Sequence, residues 1–263
     1  MRIYNPGLCF YSRSRNFDIR KVMSREQTYT SIILKKTPYG EADEIITGLT
    51  LEAGKLRFLA KSVKMAKSKL QNSLQALFLC RLRAAWPRPG QLHKIIGVEP
   101  VEVFPNLRQD LLAVKAAYGA AELVLRFLPD EQKSEGAYKL SRIFLEFLEK
   151  NAGQAEKIQA GLLAFKIKLL EILGLGITLP AQPIAKSLVF EPFKGGFAES
   201  PDFTAAAVSP KAAEDFLALR AASFLDLPKK LSAFEELKPL VDGFLEYQLE
   251  RELKAEKSLD NVV

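Results

Sequence analysis

The sequence predicts an α+β protein in two parts: an N-terminal five-stranded β-barrel, then an all-α helical domain with an irregular Pro/Gly/Phe-rich excursion. Three observations predict it. Five short strand-like segments with turn residues between them follow Gln27. The apolar period becomes helical beyond the segment from Glu99 to Pro105. The charge also divides there. No acidic residue lies between Glu52 and Glu99, while that stretch holds ten Lys and Arg. Residues 1–52 net +2, so the total of +7 leaves −5 for residues 99–263.

The barrel elements come in order. Thr28 to Leu34 is rich in β-branched residues and predicts the first strand, ended by Pro38-Tyr39-Gly40. Asp43 to Leu51 predicts the second, with Ile45, Ile46 and Leu49 apolar. Glu52 to Lys55 is a turn, and Leu56 to Lys61 the third strand. The segment from Lys61 to Leu74 is too polar for a core strand and predicts an exposed loop or short helix. Leu74 to Ala84 predicts the fourth strand. Period two puts Phe78, Cys80, Leu82 and Ala84 on one face and Arg81 and Arg83 on the other. Trp86 to Gly90 is a turn, and Gln91 to Val98 closes the set. Five strands of this size suit an OB-type barrel, a common host for oligonucleotides.

Helices are expected over Leu107 to Leu128, Tyr138 to Lys150, Ala160 to Leu173, Pro210 to Leu219 and Lys230 to Leu253, the last kinked at Pro239. The segment Ala160 to Leu173 is the most apolar and predicts the central helix. Residues 177–206 form the excursion. Residues 1–22 show no period and are expected to be a disordered extension ahead of Met23. The predicted domains are 23–99 and 100–263.

Composition excludes several functions. Two cysteines, Cys9 and Cys80, make neither a disulfide framework nor a four-cysteine zinc site. One histidine, His93, cannot supply a multi-histidine metal centre, and it reads as a packed or surface residue. No apolar run approaches the ~20 residues that span a bilayer, so no membrane association is expected and a cytoplasmic location is. There is no Gly-Lys-Ser/Thr phosphate loop, no Gly-x-Ser-x-Gly elbow and no Cys–His pair. No enzyme, metal or cofactor is expected.

The acid-free block is the positive signal. Each cation that neutralises a phosphate releases condensed counterions, so a cluster supplies affinity without base choice. Arg57, Lys61, Lys64, Lys67, Lys69, Arg81 and Arg83 are the expected phosphate contacts. The bland alternative is a solvated basic surface, but charged surfaces ordinarily mix both signs. Single strands also need aromatic faces for stacking. Tyr39 and Trp86 lie in turns and are the candidates; Phe58 and Phe78 are expected in the barrel core.

Several stretches carry a resemblance. They are Ser31-Ile32-Ile33-Leu34-Lys35-Lys36-Thr37-Pro38-Tyr39-Gly40-Glu41-Ala42-Asp43, then Thr50 to Leu56, then Ala60-Lys61-Ser62-Val63-Lys64-Met65-Ala66-Lys67-Ser68. Further along are Leu111 to Leu128, with Ala117-Tyr118 and Ala121-Glu122-Leu123, and Phe165 through Leu175. In this order the chain resembles the RecO family of bacterial DNA repair and recombination mediators. The resemblance implies an OB domain and a helical domain that bind single- and double-stranded DNA, anneal strands and load recombinase onto strands coated by single-strand-binding protein. The implied partners are RecR and that protein's acidic C-terminal tail, and the implied setting is the bacterial nucleoid during repair. Lys115, Arg126, Lys139, Arg142, Lys166 and Lys168 are the cations available to hold such a tail.

One departure stands out. Many members carry a four-cysteine zinc module after the central helix, and Pro180 to Phe203 has no cysteine. A degenerate module without zinc is expected, held by Phe190, Phe193, Phe197 and Phe203. Two other functions remain open to the sequence: an RNA-binding OB protein, and a metal-dependent nuclease using Asp43 and Glu44.

Overall fold

The computed structural model describes residues 26–65, 70–86, 91–180, 188–199, 207–228 and 230–260, with the backbone alone over 251–260. The predicted extension at residues 1–22 lies outside them.

Five strands form a closed barrel: β1 (Glu26–Tyr39), β2 (Asp43–Thr50), β3 (Gly54–Ala60), β4 (Leu79–Ala85) and β5 (His93–Glu102), in the spatial order β1-β2-β3-β5-β4. β1 pairs with β4 through Glu26–Ile32 and with β2 through Ser31–Tyr39. A register shift between Ile33 and Lys35 marks where it turns from one partner to the other, as bulges do in closed sheets. The barrel interior holds Tyr29, Ile33, Ile46, Leu56, Phe58, Cys80, Leu82, Ala84 and Ile95. Burial pushes the Cys80 thiol up to about 12, so it is an inert core group.

The fourth strand begins later than expected. Leu70–Ser73 is a single helical turn, α1, and residues 74–78 run irregularly into β4. The apolar residues there read as strand because they are buried: Leu74 and Phe78 plug the barrel, while Leu77 faces the helices. β5 runs to Glu102, beyond the boundary expected at residue 99, because Glu99 to Glu102 still pair with β4.

The helical part comprises α2 (Pro105–Gln109), α3 (Leu111–Phe127), α4 (Glu135–Lys150), α5 (Ala155–Ile172), α6 (Pro210–Ala221) and α7 (Phe234–Asp260). The single helix expected over 107–128 is broken at Asp110. Its carboxylate accepts from Leu112 N and Ala113 N, which caps α3, and also from Gly153 N. These bonds, that from Gly153 first, hold the Asp110 carboxyl below its usual range. α5 is central, with Ile158, Leu163, Phe165, Ile167, Leu169 and Leu170 buried. At Gly161 a Cβ would stand 2.2 Å from the Phe147 ring, so only glycine lets α4 and α5 close on each other.

The excursion is more ordered than expected. β6 (Leu188–Glu191), β7 (Gly196–Glu199) and β8 (Ala207–Val208) form a small sheet in the order β7-β6-β8. Phe190 and Phe197 meet edge to face at 5.1 Å and pack on Phe244 and Phe216. Phe193 does not join them. It lies in the 3-10 turn between β6 and β7, 68% exposed, with Lys194 Nζ over its ring. Phe203 lies outside the described residues.

The two parts share one core. Ile32, Leu34, Leu49, Leu77 and Leu79 point out of the barrel into the helical cluster. Lys55 is buried at the seam, bonded to the Leu125 carbonyl at 2.8 Å and paired with Asp130 at 3.1 Å. Gly54 has φ +77°, and a Cβ there would stand 1.9 Å from the Gln132 carbonyl. The Arg108 guanidinium lies over Phe78 and donates to the Ala76 and Val103 carbonyls.

Candidate nucleic-acid interface

Register places the barrel's outward side chains in rows. One row runs Lys35–Thr47–Arg57 across β1, β2 and β3, with Thr47 buried between the two exposed cations. The next runs Thr37–Ile45–Leu59–Lys94–Ala85, continuing onto β5 and β4. Lys35, Arg57 and Lys94 are exposed. At the end of these rows lies the β1–β2 hairpin, with Tyr39 55% exposed. The segment after β3 is tied to that hairpin: Ser62 N donates to Asp43 Oδ1 at 2.7 Å and Lys64 N to the Ala42 carbonyl at 3.1 Å. Lys61 and Lys64 are exposed there. Lys35, Lys61, Lys64 and Lys94 make no ion pair among the described residues.

Trp86 leaves the end of β4 and is 58% exposed. Its ring meets His93 edge-on at 5.8 Å, and His93 in turn meets Tyr29 and Phe58. The cluster contacts the indole, and the residue stays largely exposed. Burial lowers the His93 imidazole below its ordinary value, and Glu131 opposes the shift. Phe58 and Phe78 are buried in the barrel core and offer no stacking face.

Arg81 and Arg83 lie in different rows. Arg81 sits between Thr30 and Glu99, and Arg83 between Thr28 and Gly97. Both are exposed, but Arg81 pairs with Glu99 at 2.8 Å and Arg83 with Glu26 at 3.7 Å. Arg57 also has a carboxylate, Asp130 at 3.5 Å. The acid-free block therefore meets acids from outside itself. Exposed pairs of this kind contribute about 0–1 kcal/mol, so a phosphate can displace them, though less readily than water. Lys67, Lys69 and the turn cation Arg88 lie outside the described residues. Lys35 and Lys94 are contributions that the expected set omitted. Lys94 was visible as part of the basic block, but its place between β3 and β4 is a matter of sheet order.

The carboxylates considered for a nuclease are engaged in structure. Asp43 holds Ser62 N, and Glu44 pairs with Lys36 at 3.3 Å. Among the described residues no group of three or more His, Cys, Asp or Glu could hold a metal ion. None of the described helices is long and apolar enough to cross a membrane.

The cations considered for a partner tail scatter. Arg126 pairs with Glu122 and Lys166 with Asp242, and these two line one groove between α3, α5 and α7. Arg142 is held by Glu146 and Glu102, Lys139 by Glu135, and Lys168 by the Arg220 carbonyl. Lys115 is exposed on α3, with no ion pair among the described residues. A different groove, of about 590 Å³, has Ile143, Phe147, Phe224, Leu225 and Leu227 as walls. Lys150 and Lys157 stand at its rim, with no carboxylate partner among the described residues. Sequence reasoning missed it because its walls come from α4 and from the loop after α6.

Fold and surface together define a class: an OB-like barrel with a cation-lined, aromatic-ended outer face, fused to a helical domain. The chain belongs to the RecO family. Residues 23–104 match its description "Recombination protein O N terminal" and residues 108–257 match "Recombination protein O C terminal". A DNA repair protein RecO of Synechococcus sp. is 31% identical over 259 residues, covering 89% of each chain. Those of Dehalococcoides mccartyi and Geobacter metallireducens are each 33% identical, over 55% and 59% of this chain. The matched stretches span 54% and 61% of those two relatives.

Proposed function

We propose that this protein is a recombination mediator. It binds single- and double-stranded DNA on the outer face of β1, β2, β3 and β5, brings complementary strands together, and helps load recombinase onto strands coated by single-strand-binding protein. The observation that carries the reading is the grouping of four exposed cations, Lys35, Lys61, Lys64 and Lys94, with no carboxylate partner among the described residues, on the side that presents Tyr39 and Trp86. Cations hold the backbone, and aromatic faces at the edges accept unpaired bases. The protein would act without a catalytic centre, near the nucleoid and together with RecR.

The test is a salt titration of the wild type on a labelled single strand. Binding should weaken with a log–log slope of about −0.7 for each neutralised phosphate, so about −3 for four contacts. A slope near zero would remove the proposal. Competition with RNA of equal length separates it from the RNA-binding alternative.

The same reading assigns the tail of single-strand-binding protein to the groove of Ile143, Phe147, Phe224, Leu225 and Leu227. An acidic peptide with an apolar end needs an apolar floor and cations that are not already paired, and Lys150 and Lys157 supply the second. Lys150→Glu with Lys157→Glu should abolish tail-peptide binding in calorimetry. Arg126→Glu should leave it intact, and the reverse pattern would move the tail to the groove of Arg126 and Lys166.

A further inference from the structure

The row Lys35–Thr47–Arg57 does not stop at the barrel. Lys35 also lines a cleft of about 450 Å³ where β1 faces α2 and α3, together with Leu34, Gln75, Ala76, Arg108 and Tyr118. Three properties of this cleft bear on its use. Arg108 is exposed but immobilised, its Nε and Nη2 bound to carbonyls and its plane laid on Phe78. Its Nη1 has no protein acceptor among the described residues. Lys35 has no ion pair there either. Tyr118 presents a ring that is 48% exposed on α3, although neighbouring Ala117 and Ala121 are buried. Of the acids nearby, Glu122 is engaged by Arg126 and Glu44 by Lys36.

A fixed guanidinium edge, an exposed ammonium and an exposed aromatic face in one cleft have the chemistry of a nucleotide site. A planar guanidinium suits phosphate oxygens, and a tyrosine ring accepts any base by stacking. We propose that this cleft holds one nucleotide of a bound single strand, with its phosphate between Lys35 and Arg108 and its base stacked on Tyr118. The proposal rests on the DNA-binding reading above and extends it. The strand runs from the barrel face along the Lys35–Thr47–Arg57 row and across the seam onto the helical domain. Tyr118 is then a binding residue, which accounts for an aromatic side chain kept exposed on an otherwise Ala-lined stretch of α3.

The experiment compares the wild type, Tyr118→Ala, Tyr118→Phe and Lys35→Gln on oligothymidines of increasing length. The wild type should gain affinity as the oligomer becomes long enough to reach from the barrel into the cleft. Tyr118→Ala should lose at least about fivefold on the long oligomers and little on the short ones, since a stacked base contributes roughly that much or more. Tyr118→Phe should retain the gain, because the ring alone stacks. Lys35→Gln should make the salt slope shallower by about 0.7. Photocrosslinking with iododeoxyuridine should label Tyr118. Unchanged long-oligomer binding by Tyr118→Ala, or equal loss at all lengths, overturns the inference while leaving the barrel interface standing. No DNA binding by the wild type would overturn both, and the salt titration identifies that case.

Discussion

The two outer faces of the barrel both carry exposed cations and differ in what those cations face. On the β1-β2-β3-β5 side, Lys35, Lys61, Lys64 and Lys94 are exposed and have no ion pair among the described residues, while Arg57 faces the Asp130 carboxylate. On the β1-β4-β5 side, both arginines are paired, with Glu99 and Glu26. Neither acid belongs to the acid-free block. One precedes it by two strands and the other follows it at once, and antiparallel pairing returns both to the strand that carries Arg81 and Arg83. Positive charge along the chain is therefore a poor measure of positive potential at a surface point. What a polyanion meets is the cation less its neighbours.

The largest expected effect breaks this comparison directly. Arg57→Gln, Lys61→Gln and Lys64→Gln together should weaken single-strand binding roughly a hundredfold at 0.1 M salt and make the salt slope shallower by about two units. Arg81→Gln with Arg83→Gln should cost less than about threefold, measured by anisotropy in the same buffer. Equal losses from the two sets would mean that both faces bind.

Trp86→Ala should reduce single-strand affinity by about tenfold and affect duplex binding less, since paired bases are not free to stack. A loss equal on both substrates would point to damage at the His93 cluster instead. A smaller effect has the opposite sign. Glu99→Gln frees Arg81 and should strengthen binding by about twofold, read as a gain in affinity that disappears at high salt.

The smallest effect is on stability. Burial holds the folded His93 below its unfolded value near 6.5, so as pH falls the unfolded state takes up its proton first and the folded state binds fewer protons than the unfolded one. Its contribution is present above about pH 6.5 and is lost as pH falls through the lower folded value. Thermal melts should show a downward step below pH 6.5 that is reduced in His93→Phe. The same step in that variant would assign it to carboxylates.

Much of this molecule was legible in its sequence. The alternation of Phe78, Cys80, Leu82 and Ala84 with Arg81 and Arg83 put the first four inside and the arginines outside. The exposure of Tyr39 and Trp86 followed from turn chemistry. The break at Asp110 was missed, because a capping aspartate inside a helical period looks like any polar residue until a second donor, Gly153 N, is seen to need it. Phe193 was placed in a cluster because aromatic residues attract in composition, yet the 3-10 turn aims it at solvent. The groove of Ile143 and Phe224 and the Tyr118 cleft were invisible, since each joins side chains from elements far apart in the chain.

Period, turn residues and charge density are local quantities, and by themselves they determined the barrel, the helical domain and the strand faces. Which cations stay unpaired, and which grooves they rim, was decided only by tertiary structure. The physical reason is range. A side chain's period depends on its neighbours in sequence, while its electrostatic partner is whatever the closed sheet brings within 4 Å.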